Sequence, residues 1–185
     1  RARARRPLAE FVVASLQRRW TQALLAAERG FALACEGGSV LMQGNFANGI
    51  LVALLGLGRV AEAVARSREI RGAVLPGPSG SAIPFIGTCA RCALVAGDVH
   101  AARAHLAQLF EMCRAVNWMY FDFFGNLYPR LPLTEGRLED AARLLGHAEV
   151  AARRSWSVSR SSSTRKDVFD TLSGALPQEV LSQLM

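Results

Sequence analysis

The sequence predicts an all-α fold, an α-solenoid of antiparallel helix pairs. The first observation is a repeat. "LLGLGRVAEAVAR" (54–66), "LVAGDVHAARAHL" (94–106) and "LTEGRLEDAARLL" (133–145) each run from an apolar helical stretch into a glycine, a charged residue, and an alanine five positions after the glycine. The glycines are Gly58, Gly97 and Gly136, the alanines Ala63, Ala102 and Ala141, and each set is spaced by 39 residues. Self-similarity at such a period marks a repeat architecture. The second observation is composition. The 185-residue chain is 51% hydrophobic, above what a disordered chain carries. Ala, Leu and Arg dominate while β-branched residues are sparse, which favours helix because Ala and straight side chains lose little entropy there. The third is the chemistry of the unit. Glycine accepts positive φ, so it closes one helix and reverses the chain. The alanine sits where two helices cross too closely for a larger side chain. A hairpin of this kind cannot bury its apolar face alone, so neighbours stack into one continuous core.

In chain order the expected pairs are helices at 8–17 and 20–35, 39–56 and 59–71, 81–95 and 98–115, and 119–134 and 138–153. The first pair rests on "PLAEFVVASLQ" followed by "RRWTQALLAAERGFALA". There Ala23 lies five residues after Arg18 and 40 before Ala63, but the turn glycine is missing. The later second helices show apolar residues at helical spacing: Val64, Ala65 and Ile70; Leu106, Leu109 and Phe110; Leu144, Leu145 and Ala148. "GAVLPGPSGS", between the second and third pairs, is loop by composition. Pro129 and Pro132 should kink or shorten the first helix of the fourth pair. Residues 1–153 thus read as a helical-repeat domain of about four pairs, and 154–185 as a polar linker with a short helical tail. "SWSVSRSSST" is the linker. In the tail, "RKDVFDTL" stops at Gly174 and "PQEVLSQL" has Pro177 near its first turn, where a missing N–H costs nothing.

The unit resembles the tetratricopeptide repeat in its glycine-charged turn, its small residue five positions on, and its aliphatic second helix. The usual period is about 34 residues; the period of 39 here implies longer helices or loops. The resemblance covers about residues 8–153. A narrower one concerns "EGRLEDAARLLGHAEVAARR" and the tail "RKDVFDTLSGALPQEVLSQLM". These are similar to the carboxyl-terminal end of large bacterial regulators, in which a signal-transduction ATPase module, often joined to a winged-helix DNA-binding domain, precedes helical repeats. Gly136, Arg137, Ala141, Ala142, Arg143, Leu144, Leu145, Gly146 and Ala148 match the closing phrase of that family, while "LYPRLPLTEG" departs from it through its two prolines. The resemblance implies a non-enzymatic regulatory part. The ATPase itself is not in this sequence, since no G-x-x-x-x-G-K-[ST] loop occurs.

The net charge of +7 invites a nucleic-acid reading, but residues 7–152 carry 13 Arg against 12 Asp or Glu, and the excess sits at the ends, in "RARARR" and after Arg153. Nucleic-acid binding is therefore not expected of the helical domain, whose mixed charge suits a solvated surface. Lys166 is the only lysine, which suggests a G+C-rich coding bias and a bacterial source. No secretory signal is seen, and "GILVALLGLG" (49–58) is too short to span a bilayer. A cytoplasmic protein, or a piece of a larger one, fits, with its four cysteines reduced.

"CARC", Cys89 to Cys92, is the sharpest candidate for chemistry, because two thiols at this spacing clamp zinc or exchange disulfides. It falls within an expected helix, has no second C-x-x-C, and finds Cys35, Cys113, His100 and His105 only by folding accident, so core packing is the expected role. His147 joins no ligand spacing either. Glu139 and Asp140 open a helix and suit its dipole. No catalytic residue, metal site or cofactor is expected.

Binding is expected instead along the first helices. Counting back from each turn glycine gives Asn45, Asn48 and Val52, then Gly87 and Arg91, then Phe123, Asn126 and Arg130. Asparagines and arginines there would hold peptide backbone or carboxylates. The aromatic run "NWMYFDFFGNLY" (117–128) adds Trp118, Tyr120 and Phe123, which cannot share one face with Phe121, Phe124 and Tyr128; exposed rings suit binding hot spots. The expected function is a regulatory or scaffolding module for a protein or peptide partner, or for other domains of the same regulator, with no membrane partner. A homo-oligomer is compatible with it. The alternative is small-molecule sensing, in a pocket between the aromatic run and Arg91.

Overall fold

The computed structural model describes residues 5–74, 82–116, 124–154 and 163–185, and among them no strand occurs. The chain forms two compact units, Arg1–Ala96 and Gly97–Met185. The first holds α1 (Arg5–Leu16), α2 (Trp20–Glu36), α3 (Val40–Gly56), α4 (Val60–Val74) and α5 (Ala82–Val95). The second holds α6 (Val99–Ala115), a 3-10 turn (Gly125–Leu127), α7 (Arg130–Thr134), α8 (Leu138–Arg154), α9 (Ser163–Ala175) and α10 (Gln178–Leu184).

The reversals form as the glycines require. Gly58, Gly97 and Gly136 take φ of 72, 75 and 74°, and Gly38, between α2 and α3, takes 62°. At the first pair, where no glycine stands, Arg18 itself adopts φ of 55°. Its turn has the same bonds as the turns at Gly38, Gly58 and Gly136. The Arg18 N–H donates to the Ser15 carbonyl at 3.0 Å and the Arg19 N–H to the Ala14 carbonyl at 2.8 Å, as the Gly58 N–H donates to Leu55 at 3.0 Å and the Arg59 N–H to Leu54 at 2.9 Å. These paired bonds satisfy the last carbonyls of each helix. Five positions on, Ala23, Ala63, Ala102 and Ala141 are all fully buried.

In the first unit α2 packs on α1 and α3, and α3 packs on α4 and α5. Large rings seat against glycines. Phe46 fills the space beside Gly30, Trp20 lies against Gly56, and Phe11 stands where a Cβ on Gly49 would approach its ring to 3.1 Å. Such close approaches let the backbones of neighbouring helices come together around bulky side chains.

In the second unit the helix expected over 119–134 is interrupted. Residues 117–123 lie outside the described residues; then come the 3-10 turn and the five-residue α7. Pro129 precedes α7 and Pro132 stands in its first turn, where no intrahelical donor is lost. The tail packs on the last long helix. Val168 and Leu172 of α9 and Leu181 of α10 join Ala141, Ala142 and Leu145 of α8 in one buried cluster, with Leu133, Leu138, Leu176, Leu184 and Met185 around it. α9 runs to Ala175, one residue past the expected stop at Gly174.

Candidate functional site

Asn45, Asn48 and Val52 recur at helical spacing on one face of α3, and all three are half-buried. α5 lies beside α3 and presents Arg91, also half-buried. These four therefore lie on adjacent helices of the first unit. Gly87 is buried. Its neighbour Thr88, which pattern reading passed over, supplies the contact between the helices: Thr88 Oγ1 donates to Asn48 Oδ1 at 2.6 Å. That bond turns the Asn48 amide so that its N–H groups are left for another acceptor. Arg91 is the sole charged residue on α3 and α5. A guanidinium on an otherwise uncharged, half-buried face favours a carboxylate.

The other expected site residues are placed differently. Arg130, on α7, is in the second unit and donates to Asp167 of α9 at 3.1 Å. Asn126 belongs to the 3-10 turn, and its side chain lies outside the described residues, as do Trp118, Tyr120 and Phe123 altogether. A pocket between the aromatic run and Arg91 therefore falls outside what the structure describes.

The "CARC" thiols are packing groups. Cys89 and Cys92 are free and buried. Burial pushes both thiols from 9.0 up to about 12; at Cys89 the neighbouring Cys92 adds to this, while Arg71 and a hydrogen bond from Ser67 oppose it. Thiols so raised are neutral at physiological pH and poor nucleophiles. Among the described residues, no three His, Cys, Asp or Glu are grouped to hold a metal ion. Glu139 and Asp140 pair with Arg143 at 2.9 and 3.2 Å on the exposed first turn of α8.

A further surface was missed in the sequence. α1 and α2 form a groove of about 680 Å³ lined by Ala9, Val13, Ala14, Leu25 and Ala26. The signal was available: "LAEFVVASL" has apolar residues on more than one helical face, which a helix with a single packed side does not need.

No family model and no curated protein matches this chain. Among solved structures, a crystal structure of nearly identical TPR-like repeats of a kinesin light chain-like protein from Podosopora anserina aligns with 97% of this chain and 92% of that one. The TM-score is 0.64 at 16% identity. At that identity the likeness establishes the fold: this is an all-α, TPR-like solenoid protein of antiparallel helix pairs. No helix among the described residues is long and apolar enough to cross a membrane.

Proposed function

We propose that this chain is a non-enzymatic interaction module whose α3–α5 face takes up an acidic peptide. We propose further that it is the TPR-like carboxyl-terminal part of a bacterial ATPase-linked transcriptional regulator. The observation that carries the peptide reading is Arg91, the single charge on two adjacent helices, three residues beyond the Thr88 that bonds Asn48 of the Asn45–Asn48–Val52 stripe. Asparagine amides pair with peptide backbone, and the guanidinium with a side-chain or terminal carboxylate. Nearest-neighbour stacking is the means by which an occupied face would change how adjacent helices, and any attached domain, are held. The regulator context rests on the phrase from Gly136 to Ala148, whose small residues receive the tail: Ala141 and Ala142 are fully buried under it, and Gly146 abuts Met185.

The test is a peptide array probed with the wild-type chain and with Arg91→Glu. Acidic peptides bind the wild type and lose at least about tenfold with the charge reversed, the scale of a truncated buried ion pair. Binding indifferent to Arg91 overturns the site. Metabolites that raise the melting temperature while no peptide binds replace this reading with small-molecule sensing. For the regulator context, the coding sequence upstream of Arg1 must contain a phosphate-loop motif; a reading frame without one refutes it.

A further inference from the structure

We propose that the groove between α1 and α2 is a second docking surface, independent of the α3–α5 face. Its occupant is an amphipathic helix of a partner protein, with Asp or Glu flanking its apolar stripe.

The groove is apolar and open. Leu25 is 56% exposed and Val13 49%, while Leu16, one turn beyond Val13, is 80% exposed. An apolar face on a repeat helix is stable only when a neighbour covers it. In the second unit α9 and α10 cover α8 with Val168, Leu172 and Leu181. The α1–α2 pair has no such cover among the described residues, and its floor of Ala9, Ala14 and Ala26 is shaped for a close-packed helix. Small residues under bulky ones are how this unit already joins its helices, as Gly49 beneath Phe11 shows.

The rim selects the chemistry of the occupant. Arg29 closes one end, bonded to Glu10 at 2.6 Å, and Arg6 shares that carboxylate at 3.0 Å. Arg19, the residue before α2, lines the other end, ten residues earlier and about 15 Å away along the helix. Two guanidiniums thus share one carboxylate at one end, and a third stands at the other. A helix laid in the groove would meet positive charge at both ends, so carboxylates about ten residues apart complement it. A second copy of the chain, pairing face to face, would set arginine rims against each other and is disfavoured by the same charges.

The experiment uses the full chain and two fluorescein-labelled helical peptides of about 18 residues. Both carry Leu at i, i+3, i+7 and i+10; one has Glu on the flanks, the other Lys. The Glu peptide is expected to bind at least about tenfold tighter than the Lys peptide. Leu25→Asp weakens it at least about tenfold while circular dichroism and melting stay near wild type, because Leu25 is exposed. The double variant Arg19→Glu/Arg29→Glu reverses the preference, and Leu41→Asp, at an exposed site on α3, leaves binding unchanged. Equal binding of the two peptides, no binding, or binding untouched by Leu25→Asp overturns the proposal. So does a wild-type dimer in light scattering that Leu25→Asp dissolves. Arg91→Glu leaves binding of the Glu peptide intact, which separates this surface from the α3–α5 face.

Discussion

Gly30 of α2 stands against the ring of Phe46 of α3: a Cβ at position 30 would overlap ring atoms Cε1, Cζ and Cδ1. Phe46 is fully buried, so its ring cannot swing into solvent to make room. Gly30→Ala gains about 1 kcal/mol of helix propensity but forces an overpacked core, which costs about 1–3 kcal/mol. The net expectation is a loss of up to about 2 kcal/mol. Gly72, on α4, has nothing within 4 Å of such a Cβ. Gly72→Ala should therefore gain about 0.5–1 kcal/mol. Urea unfolding of the two variants reads opposite signs; equal signs would mean that the ring does not hold the helix spacing.

Arg18 occupies a left-handed conformation that costs a side-chain-bearing residue about 1 kcal/mol. Arg18→Gly relieves it and should raise stability by up to about 1 kcal/mol. Gly58→Ala, Gly97→Ala and Gly136→Ala impose the same strain at φ of 72–75° and should each lose about 1 kcal/mol. Thermal melts of this series check the equivalence of the four turns.

A Cβ at Gly146 would come within 2.8 Å of the Met185 backbone. Met185 lies past the end of α10 and can yield, so Gly146→Ala is expected to leave global stability within about 0.5 kcal/mol of wild type, as propensity gain offsets lost contacts. Amide exchange in 178–184 should quicken, however, because α10 loses its seat. Leu172→Ala is different. Its side chain is fully buried in the α8–α9–α10 cluster, and removing it should cost about 2–5 kcal/mol. Exchange mass spectrometry distinguishes the local effect from the global one.

Cys89 and Cys92 hold their protons more tightly when folded, with both thiols raised from 9.0 to about 12. The unfolded chain therefore loses these protons first. The stability they contribute is complete below pH 9 and is lost progressively as pH rises from 9 towards 12. Melting temperature should fall across that window, and Cys89→Ala/Cys92→Ala should flatten the fall. At neutral pH Cys35, which is exposed, labels fast while Cys89, Cys92 and Cys113 label slowly. Rapid labelling of the buried pair would reopen a chemical role for it.

The glycine turns and the buried alanines were legible because each depends on one residue's own conformational range or size, repeated at a fixed interval. The break in the helix before Gly136 was legible for the same local reason, through Pro129 and Pro132. The proposed binding face was legible only in part. Asn45, Asn48, Val52 and Arg91 fall on adjacent helices as their register implied, but no pattern along the chain marks Thr88 as the partner of Asn48, 40 residues away. Arg130 followed the same register, yet it is engaged by Asp167 of the tail.

By itself, then, the sequence determined the class of fold, the positions of the reversals and the small residues at the crossings, since backbone torsion and side-chain volume act within a few residues. Only the tertiary structure decided that Arg18 is forced into a glycine's conformation, that the tail covers α8, and that α1 and α2 leave an apolar groove rimmed by arginine. Those outcomes depend on which helices become neighbours. A turn accepts strain when the packing of the helices on either side outweighs it, and a face stays exposed when no neighbouring helix arrives to bury it.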